Sequence, residues 1–444
     1  MSLGVRIARP DAMKSAGHTI FRSFAGASMS KPSKAVGILV AGTGINLTIG
    51  FLYAWSVFKK AMVADWGWTH SEANAAYTVA IVTWAAALLV AGVVQDRIGP
   101  RRVIQIGVFL VGSGLIASSF FQTPFAMIVT VGVIVATGIG FAYGCVTPMA
   151  MKWFHPSMKG MVSGITVAGF GVAAVYLAPL TSALIRNFGI SRSFLILGVG
   201  ILAVAQPLSF FVNNPKTGYV PEAPALAAGR NRRKKLDGYN YTWRQMVKTP
   251  AFYLLWLMFA LSSSAGVMMI GHLASIATTQ ANIPNSAYIV SLLAISNASG
   301  RVGGGMLSDR IGRRNTMLIV FSTQLLNMLA FSFYTTEPLI ILGTVVAGFS
   351  YGSLMSTFPS ITSDNFGMKS YGANYGVLYT AWGVSGVLGP LIAGWAIDAT
   401  DSYSLAYIVS AALLGAAIAL GLFLKPVHTA PAGTDDEPAT PATA

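Results

Sequence analysis

One arginine in the middle of an apolar segment is the side chain in this sequence best suited to binding chemistry. Arg301 lies within segment 285–307, and Asn297 precedes it by one helical turn on the same face. A guanidinium at that depth in a membrane costs several kcal/mol unless it faces a wet cavity or an anion. Asp and Glu are absent from the deep parts of the apolar segments. We therefore expect Arg301 to bind one carboxylate, oriented by Asn297. A structural bridge between helices is the alternative.

The elements that must position this pair are long apolar segments. The 444 residues are 54% hydrophobic and only 10% charged, whereas soluble proteins average about 25% charged residues. This composition argues against a soluble enzyme, a disordered protein and a collagen-like fibre. A membrane span needs about 20 apolar residues, and twelve segments are long enough. They are roughly 36–58, 72–94, 103–122, 124–149, 160–184, 193–213, 251–275, 285–307, 316–335, 337–360, 371–396 and 403–424.

The basic residues are distributed unevenly between the two ends of these segments. The net charge is +15, and 24 of the 29 Lys and Arg fall on the side of the N-terminus, against four on the other side. By the positive-inside rule, both termini are expected in the cytoplasm, most simply at a bacterial inner membrane. An organelle transit peptide in residues 1–34 is a less favoured reading. The surplus charge therefore indicates topology and not a nucleic-acid partner. The single Cys145 excludes a disulfide framework within the chain.

A polar segment divides the chain into two halves of six spans each. We predict an N-terminal cytoplasmic tail (1–35), an N-terminal bundle (36–213), a cytoplasmic linker (214–250), a C-terminal bundle (251–424) and a disordered tail (425–444). The linker carries a basic run at 230–235, for which a solvated surface is the default and an anionic-lipid or protein site the alternative.

A matched string follows the second span of each half. The pattern G-x-x-x-D-R-I-G-x-R-R occurs with Asp96 and again with Asp309, 213 residues later. Its glycines allow close helix approach and a tight turn, and its acid and arginines can pair at a membrane face. A basic loop that served topology alone would not repeat the string. Two parallel six-helix halves are the architecture of one large class of transporters.

This repeated string resembles the loop motif of the major facilitator superfamily, found between helices 2 and 3 and echoed between helices 8 and 9. The resemblance covers 36–424 and implies an all-α membrane protein with twelve transmembrane helices in two pseudo-symmetric six-helix bundles. It also implies alternating access to a central site, with the motif residues as gating contacts. These are Gly92, Asp96, Arg97, Gly99, Arg101, Gly305, Asp309, Arg310, Gly312 and Arg313.

A finer resemblance points to monocarboxylate porters and the bacterial oxalate:formate antiporter family. Segments 153–171 and 358–376 are similar to the entry to helix 5 and to helices 10 and 11 of that family. Asn297 stands where monocarboxylate porters carry an acid four residues before their arginine. Oxalate exchangers carry a lysine in helix 11 where this chain has Trp382. A dianion would face one positive charge here, so the resemblance disfavours oxalate.

Further candidates for the cavity are aromatic or titratable. By the same resemblance, Tyr143 and Tyr351 present hydroxyls to the substrate, whereas ordinary packing is equally good as an explanation. Phe170, Trp382 and Tyr53 are candidates for the apolar walls of the cavity, as is Trp55. For all four, packing in the protein core is the alternative. His272 lies in a span, and because histidine is the residue type that ordinarily titrates near neutral pH, it is a candidate for proton coupling; a satisfied buried imidazole is the alternative.

The sequence thus predicts a secondary transporter of small monocarboxylates of the lactate or pyruvate type, coupled to protons and functioning as a monomer. Its expected partners are a small carboxylate anion, H+ and the lipid bilayer. The alternative is an anion exchanger of the oxalate/formate type, and a non-transporting membrane sensor on the same scaffold is remote. Motifs for nucleotide binding, metal binding or a serine nucleophile are missing from the sequence, so we expect no enzyme activity, cofactor or metal.

Overall fold

The computed structural model describes residues 34–216, 218–221, 240–283, 287–400 and 402–425. Most of the N-terminal tail, the basic run 230–235 and the Pro/Ala/Thr-rich C-terminal stretch lie outside these ranges. The described chain is built from helices. In chain order they are α1 (Lys34–Asp65), α2 (His70–Ile98), α3 (Pro100–Ser118), α4 (Pro124–Met151), α5 (159–188), α6 (190–209), α7 (Pro250–Ala281), α8 (Ala287–Ile311), α9 (Arg313–Phe331), α10 (Glu337–Phe366), α11 (Tyr371–Thr400) and α12 (Ser404–Phe423).

These twelve helices correspond to the twelve predicted spans. Helices α5 and α6 follow each other directly, and the chain changes direction between them at Gly189, where the backbone is not helical and φ is +77°. If α5 and α6 are counted as one helix, nine of the described helices are long and apolar enough to cross a membrane. Helices α8 and α9 are not among the nine. Both carry several polar residues, including Arg301 in α8.

The repeated string folds in the same way in both halves. Gly99 joins α2 to α3 with φ +86° and ψ 153°, and Gly312 joins α8 to α9 with φ +92° and ψ 154°. A positive φ of this size disfavours any residue with a Cβ atom, so each glycine is required by the turn. The two turns lie at the same end of the molecule, which we call the motif face.

The two six-helix halves meet along two seams. One seam pairs α5 with α8 and the other pairs α2 with α11. Near the motif face, a Cβ on Gly160 would overlap the carbonyl oxygen of Gly305, and one on Gly92 would overlap that of Gly372. The backbones are therefore in direct contact across both seams, which closes the motif face and leaves the mid-depth residues enclosed between the halves.

Candidate functional site

Arg301 lies at mid-depth in the α5–α8 seam and its side chain is 2% exposed. Its Nε donates to Oδ1 of Asn297 at 2.9 Å, and its Nη1 donates to the carbonyl oxygen of Val167 at 2.6 Å. A Cβ on Gly171 would lie 3.2 Å from Nε, so the guanidinium packs directly against the backbone of α5. Asn297 therefore orients the arginine, and both halves of the protein hold it.

Two of the five N–H groups of Arg301 have acceptors among the described residues. The described ion pairs involve Asp309 and Asp364, both at the motif face, and none reaches Arg301. Within the described chain, the guanidinium is a buried cation with three unused donors and no carboxylate partner. A buried charge of this kind needs a counter-charge or wet surroundings.

Seven aromatic side chains form a connected cluster beside this cation, and we call them the aromatic box. The charge of Arg301 interacts with the hydroxyls of four of its tyrosines. The rings also contact one another: Tyr143 lies 5.2 Å from Phe170, and Trp382 lies 5.1 Å from Tyr379, centroid to centroid. Trp382 donates from Nε1 to the Tyr351 hydroxyl at 2.7 Å. The box consists of Tyr53 (α1), Trp84 (α2), Tyr143 (α4), Phe170 (α5), Tyr351 (α10), Tyr379 and Trp382 (both α11).

This arrangement combines one charge, several hydroxyls and apolar ring surfaces in one small space. A carboxylate can accept two parallel hydrogen bonds from a guanidinium. The tyrosine hydroxyls can donate to the same anion, and the rings are suited to contact a short hydrocarbon tail. This arrangement is chemically suited to recognition of a small anion, and the contributing helices come from both halves.

The structure brings together seven of the residues singled out from the sequence, and their role as ligands stays a prediction. These are Arg301, Asn297, Tyr143, Tyr351, Phe170, Trp382 and Tyr53. His272 is placed elsewhere: its Nδ1 lies 3.4 Å from the hydroxyl of Tyr403, at the start of α12. Trp55 donates to the carbonyl oxygen of Ala73 and so joins α1 to α2.

Two members of the box, Trp84 and Tyr379, were not predicted from the sequence. Tyr379 precedes Trp382 by three residues, so helical spacing alone places both on one face of α11. Trp84 is the one tryptophan of α2, within an Ala- and Val-rich stretch. A large aromatic residue in such a stretch is equally consistent with core packing, so the sequence carried no separate signal for it.

The motif of the C-terminal half binds the first turn of α5 in the other half. Asp309 accepts hydrogen bonds from the backbone N–H groups of Gly160 and Met161, at 2.9 and 2.8 Å. A carboxylate at a helix N-terminus also interacts favourably with the helix dipole. Arg313 bridges Asp309 and Asp364, and Lys159 pairs with Asp364 at 3.2 Å. This network joins the two halves at the motif face.

The motif of the N-terminal half makes the matching contact more weakly. Asp96 accepts from the backbone N–H of Ala373, in the first turn of α11, at 3.4 Å. Burial lowers the pKa of the nearby Lys152 amine, and the negative charge of Asp96 opposes that shift. Arg101 packs over the ring of Phe210, whereas Arg97 and Arg310 are exposed. Each motif acid therefore binds the start of a helix in the opposite half.

Comparison with known proteins agrees with this geometry. The model of the Major Facilitator Superfamily matches residues 34–390 and, in a second match, 287–443. The chain belongs to the Major Facilitator Superfamily. It is an integral multi-pass membrane protein and a transporter of this family, as the fold and its helices indicate.

Among its relatives, the oxalate:formate antiporter of Oxalobacter formigenes is 25% identical over 85% of this chain and 88% of its own. Monocarboxylate transporter 12-B of Danio rerio is 25% identical over 71% of each chain. Among solved structures, the transporter FucP in the outward conformation superposes with a TM-score of 0.68 at 13% identity, over 88% of this chain and 99% of that one. The last similarity shows the fold alone.

Proposed function

We propose that this transporter of the Major Facilitator Superfamily carries small monocarboxylates of the lactate or pyruvate type together with protons. One observation carries the proposal: Arg301 is buried, has no carboxylate partner in the described chain, and lies within electrostatic range of the four tyrosines of the aromatic box. A monocarboxylate bound there leaves the loaded site neutral. The names of two relatives, an oxalate:formate antiporter and a monocarboxylate transporter, support the class of small carboxylates.

Among the described residues no second cation lies beside Arg301, which favours a monoanion over a dianion. Trp382 stands where the resemblance to oxalate exchangers expects a lysine, and its indole N–H is bonded to Tyr351. Oxalate bound to Arg301 would leave one negative charge in a low-dielectric site, which costs several kcal/mol even after relaxation. A lactate-like acid would instead place its short tail against the rings of the aromatic box.

Alternating access follows from the two seams in this proposal. The halves 36–213 and 251–424 rock as units in a monomer. The contacts of Asp309 and Asp96 hold the motif face closed while the site opens toward the other face. In this proposal the motif face and both termini lie in the cytoplasm of a bacterial cell, and the distribution of basic residues supports that orientation.

Proton coupling requires a group that holds the proton only while the anion is bound. In this proposal the proton is bound near Asn297, on a water or on the substrate itself, and it leaves together with the anion before the transporter returns empty. His272 is the alternative carrier, although its polar contact is with Tyr403 and not with Arg301. Exchange of one anion for another is the second candidate function, because an exchanger returns loaded and so never exposes Arg301 without an anion, and because it suits the similarity to an antiporter.

Reconstituted liposomes distinguish these mechanisms. Uptake of labelled lactate into liposomes without internal anion, driven by an inward proton gradient, is the expected result. Uptake that requires internal formate, and that ignores the gradient, would establish exchange instead. Liposomes with Arg301→Lys are the matched control. A failure of every C1–C6 acid to move would contradict both mechanisms and favour a sensor.

A further inference from the structure

The indole N–H of Trp84 is a buried donor for which the described chain provides no acceptor. The side chain is 5% exposed, and Nε1 has no hydrogen-bond partner among the described residues. Leaving such a group without a partner costs stability, and buried indole N–H groups are usually bonded. In the same box, Trp382 does have a partner, the hydroxyl of Tyr351. Trp84 is therefore the exception that calls for an explanation.

Trp84 packs against three other rings of the aromatic box, which lies beside the buried cation. Its ring centroid is 5.2 Å from that of Phe170, 5.6 Å from that of Tyr143 and 4.8 Å from that of Trp382. Tyr143 interacts with the charge of Arg301, and Phe170 is the neighbour of the glycine against which the guanidinium packs. An anion on Arg301 would extend its second and third carbons among these rings.

We propose that Trp84 is a specificity-determining residue whose N–H binds the oxygen on the second carbon of the substrate. The inference rests on the proposed function, because the carboxylate is taken to lie on Arg301. The three unused guanidinium donors and the tyrosine hydroxyls suffice for the two carboxylate oxygens. An indole N–H only donates, so it suits an oxo or hydroxyl oxygen and offers nothing to a methylene group. The site then selects 2-oxo and 2-hydroxy monocarboxylates over plain short fatty acids.

The test compares three-carbon acids that differ only at the second carbon, together with the shorter acetate. Binding of pyruvate, lactate, propionate and acetate to the purified full chain is measured by titration calorimetry, for the wild type and for Trp84→Phe. Phenylalanine keeps an aromatic ring and removes the N–H. We expect pyruvate and lactate to bind about 5- to 10-fold more weakly to Trp84→Phe, as for the loss of one hydrogen bond. Propionate and acetate should change less than twofold.

Unchanged propionate binding also establishes that the variant is folded. A matched control is Trp382→Phe, which removes an indole N–H that already has a protein acceptor and should not discriminate between the two classes of acid. Equal weakening of all four acids by Trp84→Phe would mean that the N–H serves the carboxylate or the packing. Unchanged binding of all four acids would mean that a water molecule accepts the hydrogen bond of the Trp84 N–H. Either result overturns the inference, whereas failure of all four acids to bind the wild type would overturn the proposed function.

Discussion

Removing the charge of Asp309 should open the motif face far more than removing that of Asp96. Asp309 makes two short hydrogen bonds to backbone N–H groups of α5, whereas Asp96 makes one bond of 3.4 Å to α11. A hydrogen bond to a charged group contributes about 1.5–3 kcal/mol. Asparagine at position 309 keeps one oxygen acceptor and turns an amide donor toward the other N–H. The bond to Arg313 lies within one half and does not distinguish the two states.

The net loss of cross-half stabilisation is therefore about 2 kcal/mol or more for Asp309→Asn, which corresponds to a shift of about 30-fold toward the state open at the motif face. Asp96→Asn weakens one long hydrogen bond, which contributes about 0.5–1 kcal/mol. The equilibrium should therefore shift about 2- to 5-fold toward the state open at the motif face. Turnover should fall by a larger factor than substrate affinity in both variants, since neither acid lies in the aromatic box.

Distances between two spin labels measure this equilibrium directly. The exposed residues Arg102 and Asn315, at the motif-face ends of α3 and α9, are replaced by cysteine after Cys145→Ala. The long-distance population in nanodiscs should grow strongly for Asp309→Asn and slightly for Asp96→Asn. Asp65→Asn, the same charge change at the opposite face, serves as the control. Equal shifts for the two motif variants, or a larger one for Asp96→Asn, would refute the reasoning.

Other variants test the site and the seams. Arg301→Lys should weaken lactate binding about 10- to 100-fold in titration calorimetry, because lysine loses the planar fork, while normal chromatographic behaviour reports insertion. Trp382→Lys should improve oxalate competition for lactate uptake, and strong oxalate inhibition of the wild type would contradict a single-cation site. Gly305→Val should slow transport at least about tenfold, because its Cβ would meet the backbone of Gly160 and prevent closure. Uptake should rise as the external pH falls, and pH-independent uptake would exclude proton symport.

The sequence was sufficient for features that depend on local composition. Twelve apolar segments predicted the twelve helices, and the isolated Arg301 with Asn297 one turn away predicted their hydrogen bond. The partners of the motif acids were not accessible in this way. Asp309 pairs with Arg313 as the string suggests, but its bonds to Gly160 and Met161 join residues almost 150 positions apart.

The membership of the aromatic box also depends on contacts between distant parts of the chain, which the sequence does not specify. Periodicity places Tyr379 beside Trp382 on α11, yet it does not specify which face of α2 turns toward Arg301. Trp84 enters the box because the α2–α11 seam brings α2 against the other half at this depth. Such a contact depends on packing between halves, and it is invisible in a segment whose neighbours are all apolar.

The motif acids recognise main-chain N–H groups, and this has a consequence for the variation that each seam tolerates. The first turn of α5 supplies the backbone donors of Gly160 and Met161, and that of α11 supplies the donor of Ala373. A backbone N–H is present at positions 161 and 373 whatever the side chain. The hydrogen bonds alone should tolerate any side chain at positions 161 and 373 as long as the helix begins in the same place, although packing restricts the buried Ala373 to small residues. Proline is the exception, because it has no N–H to give. Within homologous transporters, the partners of these two acids should therefore be recognised by a shared helix start and by the exclusion of proline, and not by any shared residue.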